Sequence, residues 1–402
     1  MQLEREIEET QHFLPTSRYA FVQGNFWMSF CIIFSFASVY LLSKGFQSSQ
    51  IGIIIAIAGV VSAILQPAVA GIADKSYKIT VRKLIEGFSI VMILMAVILL
   101  IPNLHFILIA FVYAALVAVL QIITPLVNAV GMECINHGIP INFGIARGMG
   151  SILYAAISYI AGALVSKFST NVIPIMIILF YSFLFFSILT FQFKGMQKGI
   201  VKDHFQEEKT KNAKTIDFVK NNQRFFLLLL GITICFASHN ILNNYIYQIV
   251  KSHGGGSAQM GTALSIAAAV ELPTMLLFSI IISRVKSSKL IIIAAFFFAI
   301  KSLLTLLAGN MTAIYLTQLS QALGFALFVP ASVYYVNHVI KEKDRVKGQA
   351  FMTVTNTVGS IAGSLIGGVL IDRAGVSVML LVSTVIAGIG AVIVVFGVDH
   401  NK

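Results

Sequence analysis

Twelve stretches of the chain are apolar for about the 20 residues that a helix needs to cross a bilayer. They lie at residues 20–43, 50–72, 84–102, 105–130, 143–166 and 172–193, then at 224–249, 257–283, 289–308, 311–337, 347–371 and 376–398. The polar positions between them make short connections, with one exception. Residues 194–223 hold Lys194, Lys198, Lys202, Lys209, Lys211, Lys214 and Lys220 among acids and amides, and read as a cytosolic linker. The pattern predicts an all-α membrane protein: twelve transmembrane helices in two six-helix bundles, 1–193 and 224–402, joined by that linker. A weak internal repeat supports the division. QIGIIIAIAGVV at 50–61 matches QMGTALSIAAAV at 259–270, and AGALVSK at 161–167 matches GGVLIDR at 367–373. Halves duplicated in parallel are related by an axis along the membrane normal, with a polar cavity between them near the midplane.

Composition agrees and excludes other classes. Hydrophobic residues make up 57% of the chain and charged residues only 11%, against about a quarter charged in a soluble protein. An ordinary cytosolic enzyme, a disordered chain and a disulfide scaffold are excluded. Cys31, Cys134 and Cys235 have no metal spacing and read as packing residues. No cofactor is called for. The net charge of +12 is a matter of placement. Lys44, Lys167, Lys251 and Arg373 fall on one side of the predicted membrane and Arg147 and Lys301 inside it. The other basic residues, including Lys75, Lys78, Arg82, Lys83, Arg284, Lys286, Lys289, Lys341, Lys343, Arg345 and Lys347, fall on the opposite side. Basic residues mark the cytosolic side, so both termini are expected in the cytosol and nucleic-acid binding is rejected. Residues 1–19 carry Glu4, Glu6, Glu8 and Glu9 instead of the basic start of a cleavable signal.

An ionisable group inside a span is costly and marks function by default. Arg147 in the fifth stretch, Glu271 in the eighth and Lys301 in the ninth stand out; Glu133 and Glu86 lie nearer helix ends. In ASHNILNNYIYQ of the seventh stretch, His239, Asn243 and Tyr247 are four apart and share one helix face, with Asn240 and Asn244 on an adjacent stripe. Asn128, Tyr154, Gln318, Gln321, Thr353 and Asn356 add polar candidates. Each amide could instead be an interhelical fastener, worth about 0.6 kcal/mol on average. Together with the charged groups they suit a neutral, hydroxyl-rich solute. Glycines four apart, Gly359, Gly363 and Gly367, and also Gly144 and Gly148, permit close helix approach.

Several segments resemble the major facilitator superfamily, and within it the lactose permease-like oligosaccharide:proton symporters. Asn25-Phe26-Trp27-Met28 opens the first span as in those proteins. Ile51-Gly52-Ile53-Ile54 through Gln66-Pro67 and Asp74-Lys75 follows their second span and the G-x-x-x-D-[RK] loop signature, with Ala70 in place of its first glycine and Arg82 and Lys83 behind it. A second copy, Gly368-x-x-x-Asp372-Arg373-x-Gly375, is better formed. The resemblance implies that Asp74, Lys75, Arg82, Lys83, Asp372 and Arg373 belong to conformational gating loops. In Asn142-Phe143-Gly144-Ile145-Ala146-Arg147 it implies a sugar-holding arginine, at Tyr154 an aromatic that stacks on the sugar ring, and at Glu271 a glutamate for sugar binding and coupling. Lys301 falls near a ninth-span arginine. Two departures stand out. Asn128 takes the place of an acid that partners the arginine, with Glu133 the nearest substitute, and FALFVP at 325–330 lacks the tenth-span histidine and glutamate of proton handling, Phe328 occupying the glutamate position.

The expected protein is a multi-pass cytoplasmic-membrane transporter working by alternating access, a monomer in contact with lipid, that moves a sugar or oligosaccharide with protons. Arg147 and Glu271 are expected to meet across a water-accessible chamber with Tyr154, His239, Asn240, Asn243, Asn244, Asn128 and Asn356 around the solute, and Glu271, Lys301 and Glu133 handling protons. The alternative is an exporter of drugs or aromatic, amphipathic compounds. A transport-dead sensor is a third reading. No H-E-x-x-H or G-x-S-x-G motif points to an enzyme.

Overall fold

A computed structural model describes the backbone of residues 2–75, 79–191 and 215–399, with side chains for 14–72, 79–191 and 218–399. The linker over 194–214 and the side chains of Asp74 and Lys75 lie outside these residues. The elements are α1 (Gln2–Phe30), a π-helical turn (Cys31–Ser35), α2 (Ala37–Ser43), α3 (Ser48–Lys75), α4 (Val81–Ile98), α5 (Phe106–Asn136), α6 (Phe143–Phe168) and α7 (Val172–Thr190). After the linker come α8 (Thr215–Asn221), α9 (Gln223–Asn244), α10 (Ile246–Ser252), α11 (Ser257–Leu276), α12 (Phe278–Arg284), α13 (Ser287–Leu307) and α14 (Met311–Thr317). A 3₁₀ turn (Gln318–Ala322), α15 (Phe325–Val339), a second 3₁₀ turn (Glu342–Asp344) and α16 (Arg345–Gly397) complete the chain. No strand occurs among the described residues.

Among the described residues, eight helices are long and apolar enough to cross a membrane, or ten when two bent pairs each count as one span. The pairs bend by 44° after Ser35 and by 55° after Leu276. The second bend follows Pro273, which cannot donate to the helix ladder and crowds the preceding turn. The run Glu342–Gly397 counts once at 56 residues, yet at 1.5 Å per residue it is roughly 80 Å long, more than two bilayer cores. Gly375 divides it, at φ 83° and ψ 173°, a backbone conformation open to glycine and strained for other residues. With α4, which carries Arg82, Lys83 and Glu86 in its first turns, the arrangement is consistent with twelve crossings.

Two apolar cores form. One fills the first half and continues across the molecule to Ile241, Ile246, Ile249 and Val250. The other lies within the second half, around Phe236, Phe298, Phe328 and Tyr335. The crossing occurs at one end only. There α6 meets α11 so closely that a methyl group added at Gly162 would lie 2.9 Å from the Cα of Gly261. Gly148, two heptads back on the same face of α6, has nothing within 4 Å of the same position. The two helices therefore diverge toward the end where α6 begins. Similarly α3 touches α16 at Gly52, near Ser364, and at Gly59, near Ile361, while Val346 at the start of α16 is 82% exposed. The result is a wedge, sealed at one end and open at the other.

Polar bonds fasten the sealed end. Ser38 donates to the Asn244 carbonyl (2.6 Å), and the Tyr245 hydroxyl lies between the carbonyls of Ser364 and Ser48. The Asp372 carboxylate accepts from the backbone N–H groups of Ser48 (3.0 Å) and Ser49 (2.6 Å), the first of α3. Those N–H groups have no partner within their own helix and carry the positive end of its dipole, so a carboxylate suits them. Arg373 is exposed beside it. On the other side, Arg82 donates to the Phe191 carbonyl, tying the start of α4 to the end of α7, and the Lys83 N–H caps onto Thr80.

A capping contact at a solvent-facing helix start contributes about 1 kcal/mol. Asp372→Ala is therefore expected to raise maleimide labelling of a Ser38→Cys reporter, buried at the sealed end, by about fivefold. Unchanged labelling would show that the carboxylate does not hold that end shut.

Candidate functional site

The wedge has two polar walls. On the first, Tyr19, Gln23 and Trp27 recur every fourth residue and so share one face of α1. The Arg147 guanidinium of α6 lies over the Trp27 ring, 3.9 Å from its centre, and donates to Ser151 at 3.1 Å. Arginine stacks on an aromatic face because its planar charge meets the negative side of the ring. Trp27 is held in turn: its Nε1 donates to Gln23 Oε1 (3.0 Å), and Gln23 Nε2 donates to Tyr19 Oη (2.7 Å) and Asn128 Oδ1 (3.1 Å). Tyr19 ends the chain on the Val127 carbonyl. Gly150 makes room for the indole, since a Cβ there would lie 2.6 Å from Trp27 Cδ1. Tyr154, two turns along α6 from Arg147, shares a 2.7 Å hydrogen bond with Ser35 in the π-helical turn.

On the second wall, Glu271 projects from α11. Gln321, in the 3₁₀ turn, donates to Glu271 Oε1 at 2.9 Å and accepts from Lys301 Nζ at 2.7 Å. Lys301 is only 3% exposed. Glu271 lies within the field of both Lys301 and Arg147. Beside them His239 stacks on Phe325, with 5.2 Å between ring centres and 5° between planes, and packs against Phe298 and Phe236. Its Nε2 lies 2.8 Å from the Asn243 side-chain amide, and its Nδ1 is buried with no hydrogen-bond partner among the described residues.

These positions rearrange the sequence expectation. Among the described residues no ion pair joins Arg147 to Glu271: each is held by neutral groups on its own wall. The seventh-stretch amides separate as their spacing implies. Asn243 and Tyr247 are partly exposed, whereas Asn240 and Asn244 are buried against α16, bonded to Asn356 (3.3 Å) and Ser364 (2.8 Å). Asn240 and Asn244 thus occupy a helix seam, while Asn356, bonded to Asn240, is exposed. Asn128 belongs to the support of Trp27, and Glu133, five residues further along α5, is partly exposed. Trp27, Gln23 and the bridging role of Gln321 were not among the expected site residues. The i, i+4 spacing of Tyr19, Gln23 and Trp27 in an apolar run was the available signal. Among the described residues no three His, Cys, Asp or Glu side chains gather as metal ligands.

A family profile described as "MFS_1 like family" matches residues 22–382. The chain belongs to this family. It is a multi-pass membrane transporter of the major facilitator type and not an enzyme. A maltose permease of Geobacillus stearothermophilus is 24% identical over 170 residues, which is 42% of this chain and 43% of that protein. The chain thus matches less than half the length of that relative. The crystal structure of a mutant of the nucleoside transporter NupG superimposes with a TM-score of 0.78 at 15% identity, covering 95% of this chain and 98% of that one. A POT family transporter in complex with a thioalcohol-conjugated peptide follows at 0.71 and 13% identity, covering 95% of each chain. These structural likenesses show the fold alone.

The Arg147–Trp27 stack and the Trp27–Gln23 bond can be separated by substitution. Trp27→Phe keeps a ring beneath the guanidinium and removes only the bond to Gln23. Both variants lose the bond to Gln23, so Trp27→Leu, which also removes the ring, is expected to cost about 1 kcal/mol more than Trp27→Phe, read as a lower thermal unfolding midpoint of the purified chain. Equal midpoints for the two variants would mean the guanidinium gains nothing from the ring.

Proposed function

We propose that the protein carries a small hydroxyl-rich solute, a sugar or short oligosaccharide, across the cytoplasmic membrane by alternating access, with protons as the coupling ion. One observation carries this reading. Opposite charges, Arg147 and Glu271, stand on opposite walls of an open wedge, each steadied by a neutral partner and neither pairing with the other. A solute between them can accept hydrogen bonds from the guanidinium and donate to the carboxylate. Sugar hydroxyls do both, and Tyr154 and Trp27 supply ring faces for the apolar side of a pyranose. Part of the chain is similar to a protein named a maltose permease, which supports the same class. The placement of basic residues supports a cytosolic position for the open end.

Binding drives the cycle only through a difference in affinity between states. A solute that bridges the walls favours their approach, closing the open end and loosening the sealed one. Glu271 is the carboxyl in position to take a proton when the solute leaves, and Lys301 is the buried cation behind it.

Purified protein is expected to gain thermal stability from a panel of mono- and disaccharides including maltose, since a ligand at 100 times its Kd stabilises the folded state by about 2.7 kcal/mol. In liposomes an inward proton gradient is expected to drive accumulation of the stabilising sugar, and Glu271→Gln is expected to abolish accumulation. Wild-type accumulation by that variant would overturn the proton role.

A second reading is export of aromatic or amphipathic compounds, favoured by the ring cluster of Phe236, Phe298, Phe325 and Phe328 around His239. Asn243→Leu separates the two. Loss of one polar contact to a hydroxyl-rich solute should weaken its binding by about tenfold, while a hydrophobic cation such as tetraphenylphosphonium should bind unchanged. Stabilisation by the cation alone would decide for export.

A further inference from the structure

Gln321 stands between the two buried charges of the second half and touches both. An ammonium group only donates hydrogen bonds, so Lys301 requires the amide oxygen, at 2.7 Å. The amide NH₂ is then turned to Glu271, at 2.9 Å, where a carboxylate can only accept. The orientation of the amide is thus fixed by the charge on Lys301, and the donor offered to Glu271 follows from it. Among the described residues, no acidic group lies within ion-pair distance of Lys301. The remaining charged and titratable groups that face this pair are Arg147 and Tyr154 from α6 and His239 from α9, and among the described residues none of them is hydrogen-bonded to Gln321.

Gln321 is carried on an interruption. Between α14 and α15 the tenth crossing tightens to 3₁₀ over Gln318–Ala322 and passes through Gly324 at φ −89° and ψ −99°, outside helical geometry. A 3₁₀ stretch inside a helix often marks a hinge, and interrupted membrane helices gather at transporter binding sites.

We infer that Gln321 is the positioning residue through which Lys301 keeps Glu271 ionised and turned into the wedge. The inference rests on Glu271 being a solute and proton site, and it identifies what sets the state of that site. A bond from an amide to a carboxylate is roughly twice as strong as one to a neutral acid. A proton reaching Glu271 therefore weakens its hold on the 3₁₀ segment, which links protonation to movement of the tenth crossing.

Dicyclohexylcarbodiimide modifies protonated carboxyl groups in apolar surroundings, so its rate at Glu271, read by peptide mass, reports the state of that group with no solute present. In the full-length protein Gln321→Met is expected to raise the rate about tenfold, the equivalent of one hydrogen bond to a charged group. Gln321→Glu, close in size, keeps an acceptor for Lys301 but offers an ionised group no donor to Glu271, and is expected to raise it as well. Lys301→Met should act in the same direction, and its effect in the Gln321→Met background should be clearly smaller than in the wild type, since only the direct effect of its charge on Glu271 is left. That non-additivity is the signature of one residue acting through another. The inference is overturned if folded Gln321 variants label within about twofold of wild type, or if Lys301→Met acts fully in the Gln321→Met background. Failure of the transport reading would show separately, as absence of any sugar-driven stabilisation or flux with the labelling pattern intact.

Discussion

A guanidinium, an ammonium and a carboxylate within membrane-crossing helices cannot be left against hydrocarbon, where each costs several kcal/mol, and the interior is arranged around their placement. Each is held by a neutral partner: Arg147 by the Trp27 ring and Ser151, Lys301 by the oxygen of Gln321, Glu271 by its N–H. Neutral partners leave the charges available. Had Arg147 and Glu271 neutralised one another directly, a solute would have to break an ion pair in a low-dielectric space before binding. Keeping them on separate walls requires a gap, and keeping the gap requires that the two halves meet elsewhere. They do so at one end, through Gly162 and Gly261, and through Asp372 on the start of α3.

Much of this is legible in the sequence. Long apolar runs dictate crossing helices because backbone groups in lipid must bond within their own segment, and Arg147, Glu271 and Lys301 announce themselves by being ionisable within such runs. The two stripes of the seventh crossing also separate on paper, since Asn240 and Asn244 lie about 100° around the helix from His239 and Asn243. Which stripe faces a neighbour and which faces the gap depends on α16, and nothing local encodes that. Asn128, expected around the solute, accepts a hydrogen bond from Gln23. A support chain of that kind runs between helices more than a hundred residues apart in sequence, so spacing within either helix cannot disclose it.

The helix interruptions were the least legible feature. The π-helical turn over Cys31–Ser35 contains neither glycine nor proline. The 3₁₀ turn over Gln318–Ala322 has Gly324 just beyond it and Pro330 one turn and a half later, signals that fit a continuous kinked helix equally well. Each break carries a side chain that reaches a site residue: Ser35 bonds Tyr154, and Gln321 bonds Glu271. Departures from ideal helix geometry and site chemistry therefore coincide, as expected where local regularity yields to function.

The glycine seam at the sealed end also has an energetic meaning. Where Gly162 meets Gly261, and Gly52 meets the Ser364 carbonyl, backbone lies against backbone with little side-chain surface between. Apolar burial contributes about 25 cal/mol per Å², so these main-chain contacts give up little of that energy when they part, and the apolar cost of opening falls on the core side chains that cross beside them, Ile241, Ile246, Ile249 and Val250. The glycine contacts thus bring the halves together without adding to the apolar energy that a solute must offset through its difference in affinity for the two states.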